Sequence, residues 1–309
     1  MKRLEAEPKE LEEIVKEYSG NPIIRKKDMP YACNDLTGIF NAGATKFKDK
    51  YLLLFRVEDR KGISHFGKAI SDDGFHFMIS DRYALSPAEN EPLDNKGIED
   101  PRITKIDNKY YVAYTAYSKY GPSVGLAETK NFKRFKRLGI ILPPENKDAT
   151  LLPEEIKDEK IRREKGKYLL YHRPTQSRDI FVVYSKDLER WGHNHPVMGR
   201  RKAGATWDED KIGAGATPIK TEKGWLHIYH GVKGGTYRLG CALFDLENPA
   251  KLIGRSKIYI LGPKHDSKIV FTCGATPEND GTLKIYYSID DDTINVGTAK
   301  INDLLEICR

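Results

Sequence analysis

The sequence predicts an all-β protein folded as a five-bladed β-propeller, with a short N-terminal helix. Short stretches of alternating apolar and polar residues occur throughout, turn residues separate them, and one segment plan occurs five times. The chain has 309 residues, which exceeds the usual size of one hydrophobic core, so two domains or a closed repeat architecture are expected. The fivefold repetition favours the closed architecture.

Each of the five segments reads as a short strand, a tight turn and a second strand that contains Tyr or Trp. They recur at intervals of roughly 50 to 65 residues, which is long enough for a four-stranded antiparallel blade. A β-sandwich could contain as many strands, but it would not explain why a small-residue or Asp-containing turn precedes the same kind of strand five times. The segments are NAGATKFKDKYLLLFR from Asn41, IEDPRITKIDNKYYVAYT from Ile98, NKDATLLPEEI with KGKYLLYHR from Asn146, KIGAGATPIKTEKGWLHIYHG from Lys211, and TCGATPENDGTLKIYYSID from Thr272.

The N-terminal residues differ from the rest because their apolar residues follow a helical period. Residues 8–18, PKELEEIVKEY, space Leu, Ile, Val and Tyr along one face of a short amphipathic helix. We therefore divide the chain into an N-terminal helical extension, residues 1–20, and a propeller catalytic domain, residues 21–309. The helix could pack against a second subunit of a homo-oligomer or against its own propeller, and the sequence leaves both open.

Composition and charge exclude several functional classes. No apolar run reaches membrane-spanning length and the N-terminal stretch is charged, so we expect no membrane contact and a cytoplasmic protein. The net charge of +7 suits an anionic substrate, but Lys and Glu are interspersed rather than gathered in a basic block, so nucleic acid is not an expected partner. Four widely separated cysteines predict buried or idle thiols rather than a disulfide scaffold: Cys33, Cys241, Cys273 and Cys308.

Asp100 is the candidate general acid. The innermost strands of a propeller line a central channel, so corresponding points of the five segments should converge on one pocket. Asp100 lies at such a point, in Glu-Asp-Pro-Arg, where the following proline keeps the backbone extended and suits a carboxylate held at the channel mouth. An aspartate that caps a turn at a blade corner is the alternative explanation of this motif.

Three basic residues in the later segments form a predicted phosphate cradle: Arg173 at the end of KYLLYHR, Lys211 at the start of KIGAGATP, and His230 at the end of GWLHIYH. Arg offers a planar fork to a tetrahedral oxyanion, Lys a compact charge and His a tunable donor. Each alone would more often be a structural ion-pair residue. One acid among several cations suits a reaction in which phosphate is the nucleophile, because a hydrolytic glycosidase normally needs two carboxylates.

Signals for other chemistry are weak. The sequence has no P-loop, no dinucleotide-binding glycine pattern, no His/Glu zinc spacing and no serine-hydrolase elbow. We therefore expect no metal and no cofactor, with inorganic phosphate as a co-substrate.

Several long segments, in this order along the chain, carry a resemblance to a known family. They are FNAGA, LLLFRVE, GIEDPRIT, NKDATLLPE, YHRP, WDEDKIGAGATPI, GWLHIYHGV and RLGCALFDLENP. Over roughly residues 20–305 the chain resembles glycoside hydrolase family 130, the β-mannoside phosphorylases and related β-mannosidases. The order of the segments makes the resemblance specific, whereas Glu-Asp-Pro-Arg alone would not.

The resemblance implies a five-bladed propeller and inverting, metal-free phosphorolysis that releases α-mannose 1-phosphate. It gives Asp100 the role of the catalytic acid, whose proton passes through a hydroxyl of the sugar being cleaved. It makes Arg173, Lys211 and His230 phosphate ligands, which as a set are missing from the hydrolases of the family. Lys147 occupies a place where some members carry a phosphate-binding arginine.

The resemblance also implies sugar contacts for Asn41, Arg56 and Asp291. The last segment departs from the family pattern Tyr-Tyr-Gly-Ala-Ala-Asp, because it reads Tyr-Tyr-Ser-Ile-Asp-Asp. The sugar ligand is therefore Asp291 or, with a register shift of one, Asp290.

The expected enzyme is a glycoside phosphorylase, a hexosyltransferase that acts on a small oligosaccharide and phosphate. The segment NKDATLLPE favours β-1,2-linked mannobiose or mannooligosaccharides. Two alternatives remain open: a β-mannosidase that uses water, and a non-catalytic propeller that binds carbohydrate. The three basic residues count against the first, and an acid placed among cations counts against the second.

Overall fold

The computed structural model describes residues 14–30, 36–88, 92–202 and 206–308. Strands within these ranges form five antiparallel sheets of four or five strands, each built mainly from consecutive strands of the chain. The five sheets are the blades of a propeller. The predicted fold class is therefore confirmed.

Two short strands and a turn of 3-10 helix precede the first blade, where the sequence predicts an α-helix over residues 8–18. These elements are β1 (Lys16–Glu17), β2 (Ile24–Arg25) and the 3-10 helix (Lys26–Asp28). Both strands pair with a strand at residues 293–300. The helix prediction is wrong for residues 14–18, and residues 8–13 lie outside the described residues. A sheet edge offers unpaired backbone N–H and C=O groups, and pairing with it outweighs the weak helix preference of so short a segment.

The first two blades are meanders of four strands joined by tight turns. Lys48 and Asp49 both have positive φ, which closes the two-residue hairpin after the innermost strand of the first blade. The first blade consists of β3 (Leu36–Phe47), β4 (Lys50–Asp59), β5 (Ser64–Ser71) and β6 (Met78–Ile79). The second blade consists of β7 (Gly97–Ile106), β8 (Lys109–Ser118), β9 (Gly121–Thr129) and β10 (Lys136–Leu142).

The third and fourth blades depart from the simple meander in one place each. In the third, the charged stretch that the sequence predicts as a loop, residues 157–164, contains the short helix α1 (Glu159–Glu164), which Asp158 caps by accepting the Ile161 N–H. The third blade consists of β11 (Asn146–Leu151), β12 (Tyr168–Pro174), β13 (Ile180–Ser185) and β14 (Trp191–Met198). The fourth consists of β15 (Lys211–Ala214) and β16 (Ile219–Thr221), which both pair with β17 (Gly224–Lys233), then β18 (Thr236–Phe244) and β19 (Leu252–Arg255).

The fifth blade combines strands from both ends of the described chain. Its strands are β20 (Val270–Pro277), β21 (Thr282–Ile289) and β22 (Thr293–Lys300), with β1 and β2 on the outer edge of β22, and α2 (Ile301–Ile307) follows. Strands on both sides of residue 20 thus join one sheet. The division of the chain at that residue stays a prediction.

The hydrophobic core lies mainly between neighbouring blades. Leu54 of the first blade packs in one cluster with Tyr114 of the second, and the ring centres of Tyr171 in the third blade and Phe244 in the fourth lie 5.2 Å apart. Helix α2 buries Leu304 against the cluster that joins the fourth and fifth blades. These three contacts between elements of neighbouring blades are apolar.

The cysteines of the described ranges are all buried, and two of them, Cys241 and Cys308, belong to the apolar cluster of the fourth and fifth blades. Cys241, Cys273 and Cys308 are buried free thiols, and the sulfur atoms of Cys241 and Cys308 lie 3.3 Å apart. The prediction of buried thiols is confirmed for these three. Cys33 lies outside the described residues.

One irregularity recurs at the same place in the innermost strands of the first three blades. The register shifts between Phe40 and Gly43, between Glu99 and Arg102, and between Lys147 and Thr150. The residue that follows the first partner of each shift has a left-handed backbone: φ is 56° at Asn41, 53° at Asp100 and 54° at Asp148. A β-bulge redirects the side chain of the extra residue. The Asp-containing turn expected from the sequence is thus a bulge inside a strand.

Candidate active site

A cavity of about 650 Å³ lies where the three bulge residues meet. This volume falls in the range usual for small-ligand sites. The cavity is lined by every residue predicted for the site except Asp290. These residues are Asn41, Arg56, Asp100, Lys147, Arg173, Lys211, His230 and Asp291. Convergence of residues distant in sequence, expected for a propeller, is therefore observed.

Asp100 is held by side chains of the first and fifth blades. Its Oδ1 accepts a hydrogen bond of 2.7 Å from Asn41 Nδ2, and Arg56 Nη1 lies 3.9 Å from the same oxygen. Ser288 Oγ in turn donates to Asn41 Oδ1 at 2.7 Å, which fixes the amide orientation. Among the described residues no hydrogen-bond partner occupies the other carboxylate oxygen of Asp100. One oxygen is thus anchored while the other is open to a substrate.

Arg56 belongs to a network of ion pairs beside the acid. Its guanidinium contacts Glu58 at 2.8 Å and Glu99 at 3.2 Å, donates from Nε to Ser64 at 2.7 Å, and lies over the Phe40 ring. Such multiple contacts leave the side chain little rotational freedom. Arg56 is therefore a fixed part of the cavity wall.

Lys147 of the third blade pairs with Glu99 of the second blade, the residue that precedes Asp100. Its Nζ lies 3.3 Å from Glu99 Oε2. Burial alone would lower the pKa of Lys147, but the carboxylates of Glu99, Asp100 and Asp148 outweigh it and raise the pKa. Lys147 is thus cationic at the cavity.

Asp148, which the sequence analysis does not assign, lies under the predicted phosphate cradle. Its Oδ2 accepts from Arg173 Nε at 2.7 Å and lies 3.5 Å from His230 Nε2, and its Oδ1 lies 3.4 Å from Arg102 Nη2. Burial would raise the pKa of Asp148, but the positive charges of Arg173 and Arg102 hold it well below the usual range. The carboxylate is ionised and shared by three basic side chains.

The other two cradle residues differ in charge. Burial, together with the nearby Arg173 and Lys211, lowers the pKa of His230 to about 3 despite Asp148, so the imidazole is neutral near pH 7. Lys211 donates a short hydrogen bond to the Tyr237 hydroxyl, and its ammonium lies 4.6 Å from the centre of the same ring. Arg173 and Lys211 supply positive charge, and His230 supplies a neutral polar edge.

The neighbouring aspartates of the last segment have different surroundings. Asp291 lines the cavity, where removal from water and then the negative charge of Asp100 raise its pKa. Asp290 instead accepts the backbone N–H groups of Lys268 and Ile269 at 3.0 and 2.9 Å. The structure therefore brings Asp291, and not Asp290, to the site.

Arg102 links the bulges behind the cavity. It is fully buried, donates from Nη1 to the Asp100 carbonyl at 3.1 Å, and reaches the carbonyl groups of Gly215 and Ala214 at 2.8 Å each. With its contact to Asp148, it joins the second, third and fourth blades. The acid and the cradle thus share one rigid support.

Sequence reasoning missed Asp148, Arg102, Ser288 and Tyr237. One signal could have found Asp148, because aligning Glu-Asp-Pro of the second segment with Lys-Asp-Ala of the third places it opposite Asp100. No comparable signal marks Ser288 or Tyr237. Their roles depend on how the strands of different blades face each other.

Two further features concern metal binding and membrane-spanning helices. Within residues 14–30, 36–88, 92–202 and 206–308, no group of three or more His, Cys, Asp or Glu side chains is arranged to hold a metal ion. No helix in these ranges is both long and apolar enough to cross a membrane. The expected absence of a metal and a cofactor stays a prediction.

The fold and the cavity define a propeller with a buried acid and several basic side chains around one small-ligand site. A family model for glycoside hydrolase family 130, described as beta-1,4-mannooligosaccharide phosphorylase, matches residues 3–309. The chain belongs to glycoside hydrolase family 130. This confirms the family that the motifs indicate.

Named relatives and a solved structure agree with this family. The chain is 34% identical over 310 residues to a 1,2-beta-oligomannan phosphorylase of Thermoanaerobacter sp. strain X514, covering 94% of this chain and 98% of the relative. It is 39% identical over 286 residues to a beta-1,2-mannobiose phosphorylase of the same organism, covering 85% and 90%. The beta-1,2-mannobiose phosphorylase of Listeria innocua, solved with beta-1,2-mannobiose, superposes with a TM-score of 0.86 at 29% identity, covering 95% and 99%. The predicted class of enzyme, a glycoside phosphorylase, is confirmed.

Proposed function

We propose that the protein catalyses inverting phosphorolysis of a β-mannoside and releases α-mannose 1-phosphate. The observation that carries this proposal is one cavity lined both by Asp100, which Asn41 anchors, and by the basic residues Arg173, Lys211 and His230. An acid protonates the leaving oxygen of a glycoside, and basic side chains hold an anionic nucleophile. The cavity therefore contains both kinds of group.

The reaction breaks the bond between C1 of mannose and the bridging oxygen and forms a bond between C1 and a phosphate oxygen on the opposite face. The proton on Asp100 passes to the leaving oxygen, in the family through a sugar hydroxyl, and the acceptor sugar leaves neutral. Phosphate needs no general base to attack, but its charge must be held beside the oxocarbenium-like centre. Arg173, Lys211 and His230 supply that hold, and Lys147 adds a further positive charge.

Asn41, Arg56 and Asp291 are proposed to contact the mannosyl ring. All three line the cavity that contains Asp100. Support for β-1,2-linked mannobiose or mannooligosaccharides as substrates comes from the names of the relatives at 34% and 39% identity.

Hydrolysis by water is a second candidate, because Asp291 gives the cavity another carboxylate. Its raised pKa is a property expected of a general base or acid. Three basic side chains near the nucleophile's position are unnecessary for water, and this favours phosphorolysis.

Incubation with β-1,2-mannobiose, with and without inorganic phosphate, tests the proposal. We expect mannose 1-phosphate only with phosphate, and phosphorus NMR of the first turnovers should identify the α anomer. Asp100→Asn serves as the matched control, because it keeps the shape of the site and removes the acid. Free mannose formed at the same rate without phosphate would show that the enzyme is a hydrolase.

A further inference from the structure

Asp148 connects the phosphate-binding side chains and has no assigned role in the reaction. It is 2% exposed, and its two oxygens contact Arg173, His230 and Arg102 at 2.7, 3.5 and 3.4 Å. Asp148 also occupies the left-handed bulge position that Asp100 occupies one blade earlier. The fold thus presents a second aspartate to the axis, on the phosphate side of the cavity.

The contact with Arg173 fixes the plane of a guanidinium. Asp148 accepts from Nε, and among the described residues no partner engages the two terminal nitrogens of Arg173. Those two nitrogens are the fork that binds phosphate oxygens in a bidentate manner. An arginine held at Nε is therefore oriented before phosphate arrives.

The contact with His230 occurs at a closely packed point. His230 is 1% exposed and packs against Phe271, with ring centres 4.5 Å apart and the rings tilted by 39°. Gly213 leaves room for both side chains, since a Cβ at that position would lie 2.3 Å from Asp148 Oδ2 and 2.6 Å from His230 Nε2. Neither side chain could keep its position if that space were filled.

We propose that Asp148 is the positioning residue of the phosphate cradle: it holds Arg173 and His230 in the geometry that receives phosphate, without contacting phosphate itself. This inference rests on the proposed phosphorolysis. A carboxylate beside an anion site repels the anion, so a negative charge retained there needs a compensating role. Orientation of two ligands is such a role.

The direction of the change in phosphate KM distinguishes a positioning role of Asp148 from a purely electrostatic one. Asp148→Asn keeps the size of the side chain and removes its charge. If Asp148 acted only through charge, the variant would bind phosphate more tightly. If Asp148 positions Arg173, the phosphate KM should rise about 10- to 100-fold, the range for losing a hydrogen bond between charged groups. The mannoside KM should change less than about twofold, because the described contacts of Asp148 do not include Asn41, Arg56 or Asp291, the residues proposed to bind the mannosyl ring.

A second variant disturbs the same geometry without changing any charge. Gly213→Ala places a methyl group between Asp148 and His230, and we expect the same selective rise in phosphate KM. This variant carries the test if Asp148→Asn does not fold. Asp72→Asn is the matched control, since its side chain is 80% exposed and neither Asp72 nor its partner Lys50 lines the cavity.

Initial rates over a range of phosphate and mannoside concentrations, with phosphate-induced shifts in Tm, provide the readouts. A wild-type or lower phosphate KM in both variants would overturn the positioning role while leaving phosphorolysis in place. Equal losses of phosphate and mannoside affinity would also overturn it, because they would indicate a merely structural residue. A wild-type enzyme without phosphate dependence would overturn the proposed function and this inference together.

Discussion

At the scale of single residues, the site depends on side chains whose backbone and partners are both fixed. Asp100 has φ of 53°, a conformation that Asp and Asn tolerate better than most residues, and Asn41 donates to its Oδ1. Asp100 as a whole residue is only 5% exposed. Replacement by asparagine should therefore preserve the local structure.

Asp100→Asn should reduce turnover of a β-mannoside by at least about 100-fold, since general acid catalysis contributes roughly 10²–10⁴. Binding of the disaccharide should survive because the amide keeps the shape of the carboxyl group. Steady-state rates and calorimetric binding check the two halves of the prediction. More than about a tenth of the wild-type rate would remove Asp100 from the role of acid.

Lys211→Ala and Arg173→Ala should both raise the phosphate KM far more than the mannoside KM, but they should differ in stability. Lys211 contacts Tyr237 near the cavity, so its loss should cost the free protein little. Loss of Arg173 leaves the buried Asp148 with a weaker set of partners and should cost about 3 kcal/mol. Phosphate saturation curves and denaturant unfolding measure both effects. Wild-type phosphate saturation in both variants would mean that the cradle is misassigned.

His227 should make the protein less stable in acid. It is buried against Tyr171 and Phe244, and burial followed by the charge of Arg102 lowers its pKa from 6.5 to about 3. Below pH 6.5 the unfolded chain binds a proton that the folded protein excludes, so the free energy of unfolding falls as pH falls toward about 3. From pH 7 to pH 5 this one residue should cost about 2 kcal/mol.

Comparison of His227→Leu with wild type by urea unfolding at pH 7 and pH 5 tests this. The variant should lose about 2 kcal/mol less between the two pH values, whatever its stability at pH 7. His193→Asn, at an exposed position, is the matched control for the loss of a histidine. An unchanged pH dependence in His227→Leu would contradict the prediction.

The residues that sequence reasoning could find are those whose local motif already limits their role. Asp100 stands before a proline at a repeated position, and Arg173, Lys211 and His230 stand at strand ends of repeated segments. Asp148 has an equally repeated position, but its role depends on burial under two cations. Burial of that kind follows from three-dimensional packing, which the sequence does not display.

At the scale of elements, the innermost strands place the site and the outer elements secure it. The bulges in β3, β7 and β11 direct Asn41, Asp100 and Asp148 to one cavity. Helix α2, by contrast, packs on an apolar surface at the junction of the fourth and fifth blades. The repeated segments correctly predict the strands. The N-terminal segment is predicted as a helix because its apolar residues have helical spacing, but residues 16–17 instead pair as a strand with the edge of β22.

Leu304→Ala in α2 should destabilise the protein by about 2–5 kcal/mol, because it removes a fully buried side chain and leaves a cavity. Catalytic constants at a temperature where the variant is folded should stay near wild type, since α2 does not line the site. Glu306→Ala, on the exposed side of the same helix, is the control. Denaturant unfolding measures the difference, and a cost below about 1 kcal/mol would show that α2 does not secure the blade junction.

At the scale of the whole molecule, the fifth blade unites distant parts of the chain. Lys16 pairs with Thr298 and Ile24 pairs with Ile294, so the outer edge of β22 is completed by residues that precede all the other blades. During synthesis, residues 16–17 and 24–25 therefore emerge long before β22, and they stay unpaired until that strand has been made. Contacts at such large sequence separation form slowly and late. The newly made protein should thus carry an unclosed ring until β22 leaves the ribosome, and should gain its full resistance to proteolysis in one final step.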